Sequence, residues 1–374
     1  MDYKNSLYSL FYEWWKNIDK FLFSLIVLLF FIGLFFSLVS TSLIASDKLN
    51  TNDYSFFFKH LIFIFLGIIL IFILSLISSE KLLKFSSGVF LISLIFLVLV
   101  PIMGIEVKGS KRWIDFYILP RFQPIELVKP FLIISLSLIL SSQKYANIYF
   151  KYLFSFLITL IVALLLAAQP DIGQTLLVFL SWSVLIFTSG INIIFLSIFF
   201  SSMILVFSYL IFFIKKFEYI KNRLLSFIDS ELGSHNFQSD KAIDSITSGG
   251  FFGKGIGEGT LKNRVPEAHT DYIIAVISEE FGVIAIILIL LLFLIFIYSV
   301  FKKVYFENDE KTKLILVGCA SLILMQAMIH IGVNIRLFPT TGMTLPFISY
   351  GGSSIISISI LSGIILNLTK RKII

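Results

Sequence analysis

Apolar residues fill this chain in blocks of about 20, the length an α-helix needs to cross a hydrocarbon core of about 30 Å. Charges or turn residues mark off ten such blocks, at about residues 21–45, 56–78, 86–104, 124–142, 152–168, 172–190, 191–214, 272–301, 314–337 and 347–368. The pattern predicts an all-α integral membrane protein of about ten transmembrane helices, with a long extracytoplasmic loop, residues 215–271, between spans seven and eight. The first block is too long for the core of a signal peptide and lacks a cleavage site, so it reads as a retained anchor. The interruption from Gln169 to Gly173 either separates spans five and six or lies inside a re-entrant segment.

Two stretches alternate differently. Leu7, Leu10, Phe11, Trp14 and Ile18 recur at helical spacing beside Lys4, Lys16 and Lys20, which fits either an interfacial helix over residues 1–20 or a simple aromatic anchor. Phe217, Ile220, Leu224, Phe227 and Ile228 form one face of a second segment, with Lys215, Lys216, Lys221 and Arg223 elsewhere, and predict a helix lying on the membrane surface.

Composition agrees with lipid as the solvent: 57% of residues are hydrophobic and 14% charged, and the mean hydropathy is +0.96. The lone Cys319 excludes an intramolecular disulfide, and the four His lack metal-ligand spacing. A net charge of +7 is dispersed over span ends and loops, which favours anionic lipid headgroups as partners and speaks against nucleic acid.

Lys370, Arg371 and Lys372 in the tail 369–374, with Lys81, Lys84, Lys302 and Lys303 in short loops, orient both termini to the cytoplasm. That orientation leaves Lys108, Lys111, Arg112 and Arg121 in a short outside loop, an exception to the positive-inside rule that calls for an anionic ligand.

Three polar constellations carry candidate chemistry. The first is Gly109-Ser110-Lys111-Arg112-Trp113-Ile114, followed by Gln123 to Lys129. Glu126 and Lys129 share a helical face, so a self-satisfied pair competes there with ligand contact. Lys111 and Arg112 suit either headgroup anchoring or phosphate, which the planar Arg fork matches. The second is Gln169-Pro170-Asp171-Ile172-Gly173, where Asp171 fits a helix cap or a place in the site. The third is Val265 to Tyr272, with Glu267, His269, Thr270 and Asp271 at the mouth of a span. Thr270 is placed to cap that helix, and Asp271 to sit in its first turn as an ionised carboxylate.

Glu279 and Glu280 fall about 12–14 Å deeper on the same helix, where an acid needs a polar interior and a cationic partner. Between the surface helix and this span, the glycines from Gly249 to Gly259 predict a flexible, turn-rich stretch that matches neither phosphate-loop template. Pro339 to Ser354 predicts a loop tucked against the bundle. Ser349 there is no hydrolase nucleophile, because Phe347 stands where that motif requires Gly.

Gly109 to Ile114, Gln123 to Lys129, Gln169 to Gly173, Gly249 to Gly257, Pro266 to Gly282 and Pro339 to Ser354 together closely resemble the FtsW/RodA/SpoVE family, the SEDS proteins. Ala268 looks more like the division branch than the elongation branch, which usually carries Arg there. A departure is Ile125, where the family commonly offers a Ser hydroxyl.

The resemblance implies a peptidoglycan glycosyltransferase that polymerises lipid II into β-1,4 glycan outside the cytoplasmic membrane, beside a class B penicillin-binding transpeptidase and other division proteins. It implies that Asp271 is the essential catalytic carboxylate. The expected mechanism has Asp271 deprotonating the acceptor hydroxyl while Lys111 and Arg112 bind the diphosphate, with a divalent cation (Mg or Mn) as an optional helper. Gln123, Glu126, Lys129, Gln169, Asp171, Glu267, His269, Thr270 and Ser349 are further candidate substrate contacts. A lipid II flippase and a non-catalytic scaffold for the transpeptidase are the competing readings.

Overall fold

The computed structural model describes residues 3–48, 55–107, 110–116, 120–143, 147–215, 218–228, 237–261 and 265–370. Lys108, Gly109, Lys216, Phe217, Arg371 and Lys372 lie outside the described residues.

Helices dominate: α1 (Tyr3–Asn17), α2 (Lys20–Lys48), α3 (Ser55–Leu76), α4 (Ser79–Met103), α5 (Pro124–Leu140), α6 (Ile148–Ala168), α7 (Ile172–Thr188), α8 (Ile193–Phe213), α9 (Glu218–Ile228), α10 (Phe237–Gly249), α11 (Ile273–Phe306), α12 (Glu310–Asn334) and α13 (Gly352–Thr369). Eight of them, namely α2, α3, α4, α6, α8, α11, α12 and α13, are long and apolar enough to cross a membrane; α7 is a shorter apolar helix. The family-like segment 110–113 is not a plain loop. Strands β1 (Ile105–Val107) and β2 (Ser110–Trp113) form an antiparallel hairpin, extended by a bridge between Ile114 and Phe122.

α12 and α13 form the centre and are mostly buried, whereas α8 is almost wholly exposed along its length. Small residues bring α3 and α13 together: a Cβ at Gly67 would lie 2.3 Å from Ser359 Oγ, and one at Gly363 would lie 2.9 Å from Leu74 Cβ.

At one end of the bundle, Trp14 Nε1 donates to Ser75 Oγ at 2.7 Å, Lys303 Nζ lies 2.6 Å from the Asp19 carboxylate, and Lys370 Nζ donates to the Ile77 carbonyl at 3.0 Å. Both described ends of the chain therefore meet there. Within the expected interfacial face of α1, Trp14 and the adjoining Ile18 are buried while Leu10 and Phe11 stay exposed. α13 then runs about 27 Å, at 1.5 Å per residue, to the opposite end, where the polar loops collect.

α11 is not one straight rod. Its ladder breaks at Gly282 (φ 76°, ψ −179°), and the glycine-rich segment enters the break backbone to backbone. Val283 N donates to the Gly250 carbonyl at 3.0 Å, Lys254 N to the Glu279 carbonyl at 2.8 Å, and Gly255 N to the Glu280 carbonyl at 3.0 Å. A Cβ on Gly282 would lie 2.2 Å from Phe251 O, and one on Gly253 would lie 2.2 Å from Glu280 O. The stretch expected to be flexible is thus docked against the span, because only glycine lets two backbones approach so closely.

Candidate functional site

The interruption after α6 is held by a ring of donors. Asp171 is the N-cap of α7 and accepts from Gln174 N at 3.4 Å. Arg112, carried on β2, reaches across so that its Nε lies 3.7 Å from Asp171 Oδ2 and donates to the Gln169 carbonyl at 3.3 Å, while Nη2 donates to the Pro170 carbonyl. Gln123 Nε2 donates to the same Asp171 carboxylate at 3.3 Å, and Gln169 Nε2 donates to the Leu97 carbonyl at 3.2 Å. Burial raises the pKa of Asp171, and the Arg112 guanidinium offsets only part of that rise. Lys111 faces away, exposed, in register with Glu106 across the hairpin.

One layer further in, the expected pair forms: Lys129 Nζ lies 2.8 Å from Glu126 Oε2, with the Lys129 side chain fully buried. Gln174 Nε2 donates to Glu126 Oε1 at 3.1 Å, and Lys129 also donates to Gln326 Oε1 at 3.3 Å. Gln326 in turn donates to the Thr344 carbonyl at 3.0 Å, and the Thr344 and Ser354 hydroxyls are 2.7 Å apart. This buried chain of polar contacts links the first constellation to the loop between α12 and α13.

Sequence reasoning missed the α12 members. Gln326, His330 and Asn334 lie four residues apart on one face of an apolar helix, a spacing that marks a polar stripe. His330 Nδ1 meets the Met343 carbonyl at 2.7 Å, and Asn334 Nδ2 donates to the Asp271 carbonyl at 3.1 Å.

Asp271 itself sits in a turn ahead of α11. The expectation that Thr270 caps this helix fails, because α11 begins at Ile273 with Tyr272 as its N-cap, and Thr270 Oγ1 donates back to the Glu267 carbonyl at 3.2 Å. Glu267, at φ 56°, lets its carbonyl accept from the N–H groups of Thr270, Asp271 and Tyr272 at 3.1, 3.0 and 3.3 Å. Asp271 therefore precedes the first turn rather than lying in it.

Ser349 is a clamp: its hydroxyl accepts from Leu345 N at 2.9 Å and donates to the Thr270 carbonyl at 2.7 Å. Tyr350 N donates to the His269 carbonyl at 3.1 Å, and the His269 ring packs 4.9 Å from Phe56. The half-buried Asp271 carboxylate lies beside exposed Gly342, where an added Cβ would stand 3.5 Å from Oδ2. Thus Glu267, His269, Thr270, Asp271 and Ser349 form one cluster, and Arg112, Gln123, Glu126, Lys129, Gln169 and Asp171 another, joined through α12.

Of the two acids deeper in α11, Glu279 meets a cation and Glu280 a backbone N–H. Glu279 Oε1 lies 3.3 Å from Lys254 Nζ and accepts from Leu261 N at 2.9 Å, Oε2 accepts from Ser245 Oγ at 2.9 Å, and Glu280 Oε2 accepts from Gly257 N at 2.6 Å. Among the described residues no group of three or more His, Cys, Asp or Glu side chains is arranged to hold a metal ion.

A helical membrane protein with one carboxylate presented at a loop junction and a charged network behind it defines a class of polytopic proteins with a polar site at one end. The chain belongs to the FtsW/RodA/SpoVE family, described as cell cycle protein, whose sequence profile matches residues 19–373. It is 30% identical over 360 residues to a probable peptidoglycan glycosyltransferase FtsW of Caulobacter vibrioides, covering 96% of this chain and 91% of that one. A Buchnera aphidicola protein of the same description is 35% identical over 334 residues, covering 85% and 92%. A chain from a peptidoglycan synthase complex that coordinates polymerization and crosslinking superposes with a TM-score of 0.77 at 25% identity, covering 94% of this chain and 97% of that one. A mutant of the rod shape determining protein RodA of Thermus thermophilus superposes with a TM-score of 0.69 at 26% identity, covering 94% and 97%.

Proposed function

We propose that this protein is a peptidoglycan glycosyltransferase of the FtsW type, which polymerises lipid II into β-1,4 glycan during septal wall synthesis. The reading rests above all on the Asp271 carboxylate, half-buried beside exposed Gly342 and anchored from below by Asn334. Family membership and the relatives' descriptions support the reaction class.

In the proposed reaction Asp271 takes the proton of the acceptor hydroxyl as that oxygen bonds to the donor anomeric carbon. The bond from that carbon to the diphosphate breaks, and its electron pair leaves on undecaprenyl diphosphate. An α-linked donor gives a β-linked product by one inverting displacement, with no covalent enzyme intermediate. Lys111 meets the diphosphate charge from the exposed hairpin, and Arg112 holds the α6–α7 turn in place while adding positive potential. A divalent cation, Mg or Mn, chelated by the diphosphate would share that task. Gln123, Glu267, His269 and Thr270 are the further substrate contacts in this reading, while the buried Glu126, Lys129, Gln169, Asp171 and Ser349 hold the framework behind them.

In the membrane, α5 and α7 complete a set of ten spans that works as one polytopic unit. Both termini face the cytoplasm, residues 215–271 form the extracytoplasmic loop, and the site faces the periplasm. The partner is a class B penicillin-binding transpeptidase, as the likeness to a chain of a synthase complex suggests, with other division proteins around it.

The test is polymerisation of lipid II by purified protein, with and without a co-purified class B transpeptidase. Wild type is expected to make glycan and Asp271→Asn none, with its fold retained. Glycan at wild-type rate from Asp271→Asn would remove Asp271 from the chemistry, and lipid II crossing vesicles without glycan formation would establish a flippase.

A further inference from the structure

Beneath Asp271 three buried polar atoms end without a protein partner among the described residues: Nε2 of His330, Oδ1 of Asn334 and Oγ1 of Thr341. The three residues are 1%, 0% and 8% exposed. Their hydrogen-bonding characters follow from what the other end of each group does. His330 Nδ1 lies 2.7 Å from the Met343 carbonyl, which only accepts, so Nδ1 carries the hydrogen and Nε2 of the neutral ring is a bare acceptor. Asn334 Nδ2 donates to two carbonyls, those of Asp271 at 3.1 Å and His330 at 2.9 Å. Those contacts fix the amide orientation and leave Oδ1 as a second acceptor. The Thr341 hydroxyl both donates and accepts.

The three groups lie on two segments that pack together. His330 and Asn334 are one helical turn apart on α12, and the segment containing Thr341 and Met343 is laid over that face. Thr341 adjoins Gly342, the residue against the Asp271 carboxylate, and its side chain packs on Gly173 at the start of α7, where an added Cβ would come within 2.7 Å of Thr341 Cβ.

Two acceptors and one hydroxyl, sealed from solvent, are satisfied by a small molecule that donates two hydrogen bonds, and leaving such atoms bare is costly. We propose that His330, Asn334 and Thr341 hold an ordered water under Asp271, and that this hydrated site positions the carboxylate. The water ties the segment at Thr341 and Gly342 to α12, while the Asn334 amide ties the Asp271 backbone to the same helix. Both walls against the carboxylate are then referenced to one rigid element, and the three side chains are positioning residues that touch neither sugar. The kinetic part of this inference rests on the proposed transferase activity; the hydration does not.

Thr341→Val is nearly isosteric and removes only the hydroxyl. A dry, unpartnered hydroxyl can be deleted with no loss of stability or with a gain. A water ligand cannot. The expected result is a lower Tm and a kcat on lipid II reduced about tenfold, with KM within about twofold, as for a base held slightly out of line. Thr341→Ser should restore both. His330→Phe should show the same kcat loss, and the double variant should be no worse than either single, since one water is lost in all three. Wild-type kcat with unchanged or higher Tm in Thr341→Val, or losses that multiply in the double variant, would overturn the proposal. If wild type itself makes no glycan, the transferase reading fails, and the Tm order of Thr341→Val against Thr341→Ser still decides the water.

Discussion

Lys129 and Glu126 meet at 2.8 Å inside the bundle, with the Lys129 side chain fully buried and that of Glu126 nearly so. Such a pair adds little net stability by itself, but either charge alone is severely penalised. Lys129→Met should destabilise the protein by ~3–5 kcal/mol in thermal unfolding, and adding Glu126→Leu should recover most of that loss. If the double variant unfolds as early as the single, the ion pair is not the reason both residues are present.

Arg112 and Lys111 are neighbours with separable roles. Arg112 spends its donors on Gln169, Pro170 and Asp171, whereas Lys111 is exposed. Arg112→Lys loses the planar fork and should lower stability by about 1–3 kcal/mol. Lys111→Ala should leave the Tm unchanged and raise KM for lipid II. Equal Tm losses in both would merge the roles.

Gly282 is the hinge at which backbone from the loop enters α11. Alanine there combines a φ of 76° with a Cβ 2.2 Å from Phe251 O, so Gly282→Ala should cost at least ~2 kcal/mol and depress activity. Gly88, in α4, has nothing within 4 Å of an added Cβ, and Gly88→Ala should raise stability by about 0.5–1 kcal/mol. Thermal unfolding of the two variants side by side checks both.

Asp19 offers a pH test remote from the chemistry. Burial works to raise its pKa, but the Lys303 hydrogen bond and charge and the Leu22 and Phe21 N–H groups outweigh it, holding the carboxyl below its usual range. Because the folded pKa is depressed, the contribution is present above the usual carboxylate pKa and fades as pH falls through the folded value. The Tm gap between wild type and Asp19→Asn should be largest near about pH 7 and close toward about pH 3. A gap that does not change with pH would mean that the Asp19 charge contributes nothing.

Much of the architecture was legible from hydropathy alone, because membrane helices satisfy their backbone locally and advertise themselves as apolar blocks. The Glu126–Lys129 pair was legible for the same local reason, being three residues apart on one helix. What could not be read was the partner of any long-range contact. The segment Gly249 to Gly259 gives a composition that suggests freedom, while its backbone bonds to Glu279, Glu280 and Val283 depend on a break in a distant helix. Helix α10 went unread because its short, mixed sequence carries little periodic signal, and the hairpin of β1 and β2 because three or four residues per strand fall below any pattern. The stripe of Gln326, His330 and Asn334 was visible at four-residue spacing, yet its importance emerges only once Asp271 and Thr344 are seen to lean on it.

The arrangement at Trp14, Lys303 and Lys370 has a practical corollary. Since head and tail of the described chain are moored at the same pole, about the length of α13 from the polar loops at the other, a fluorescent or affinity tag at either terminus should be tolerated equally well. Two halves of a split reporter, one on each terminus, should find each other within a single molecule.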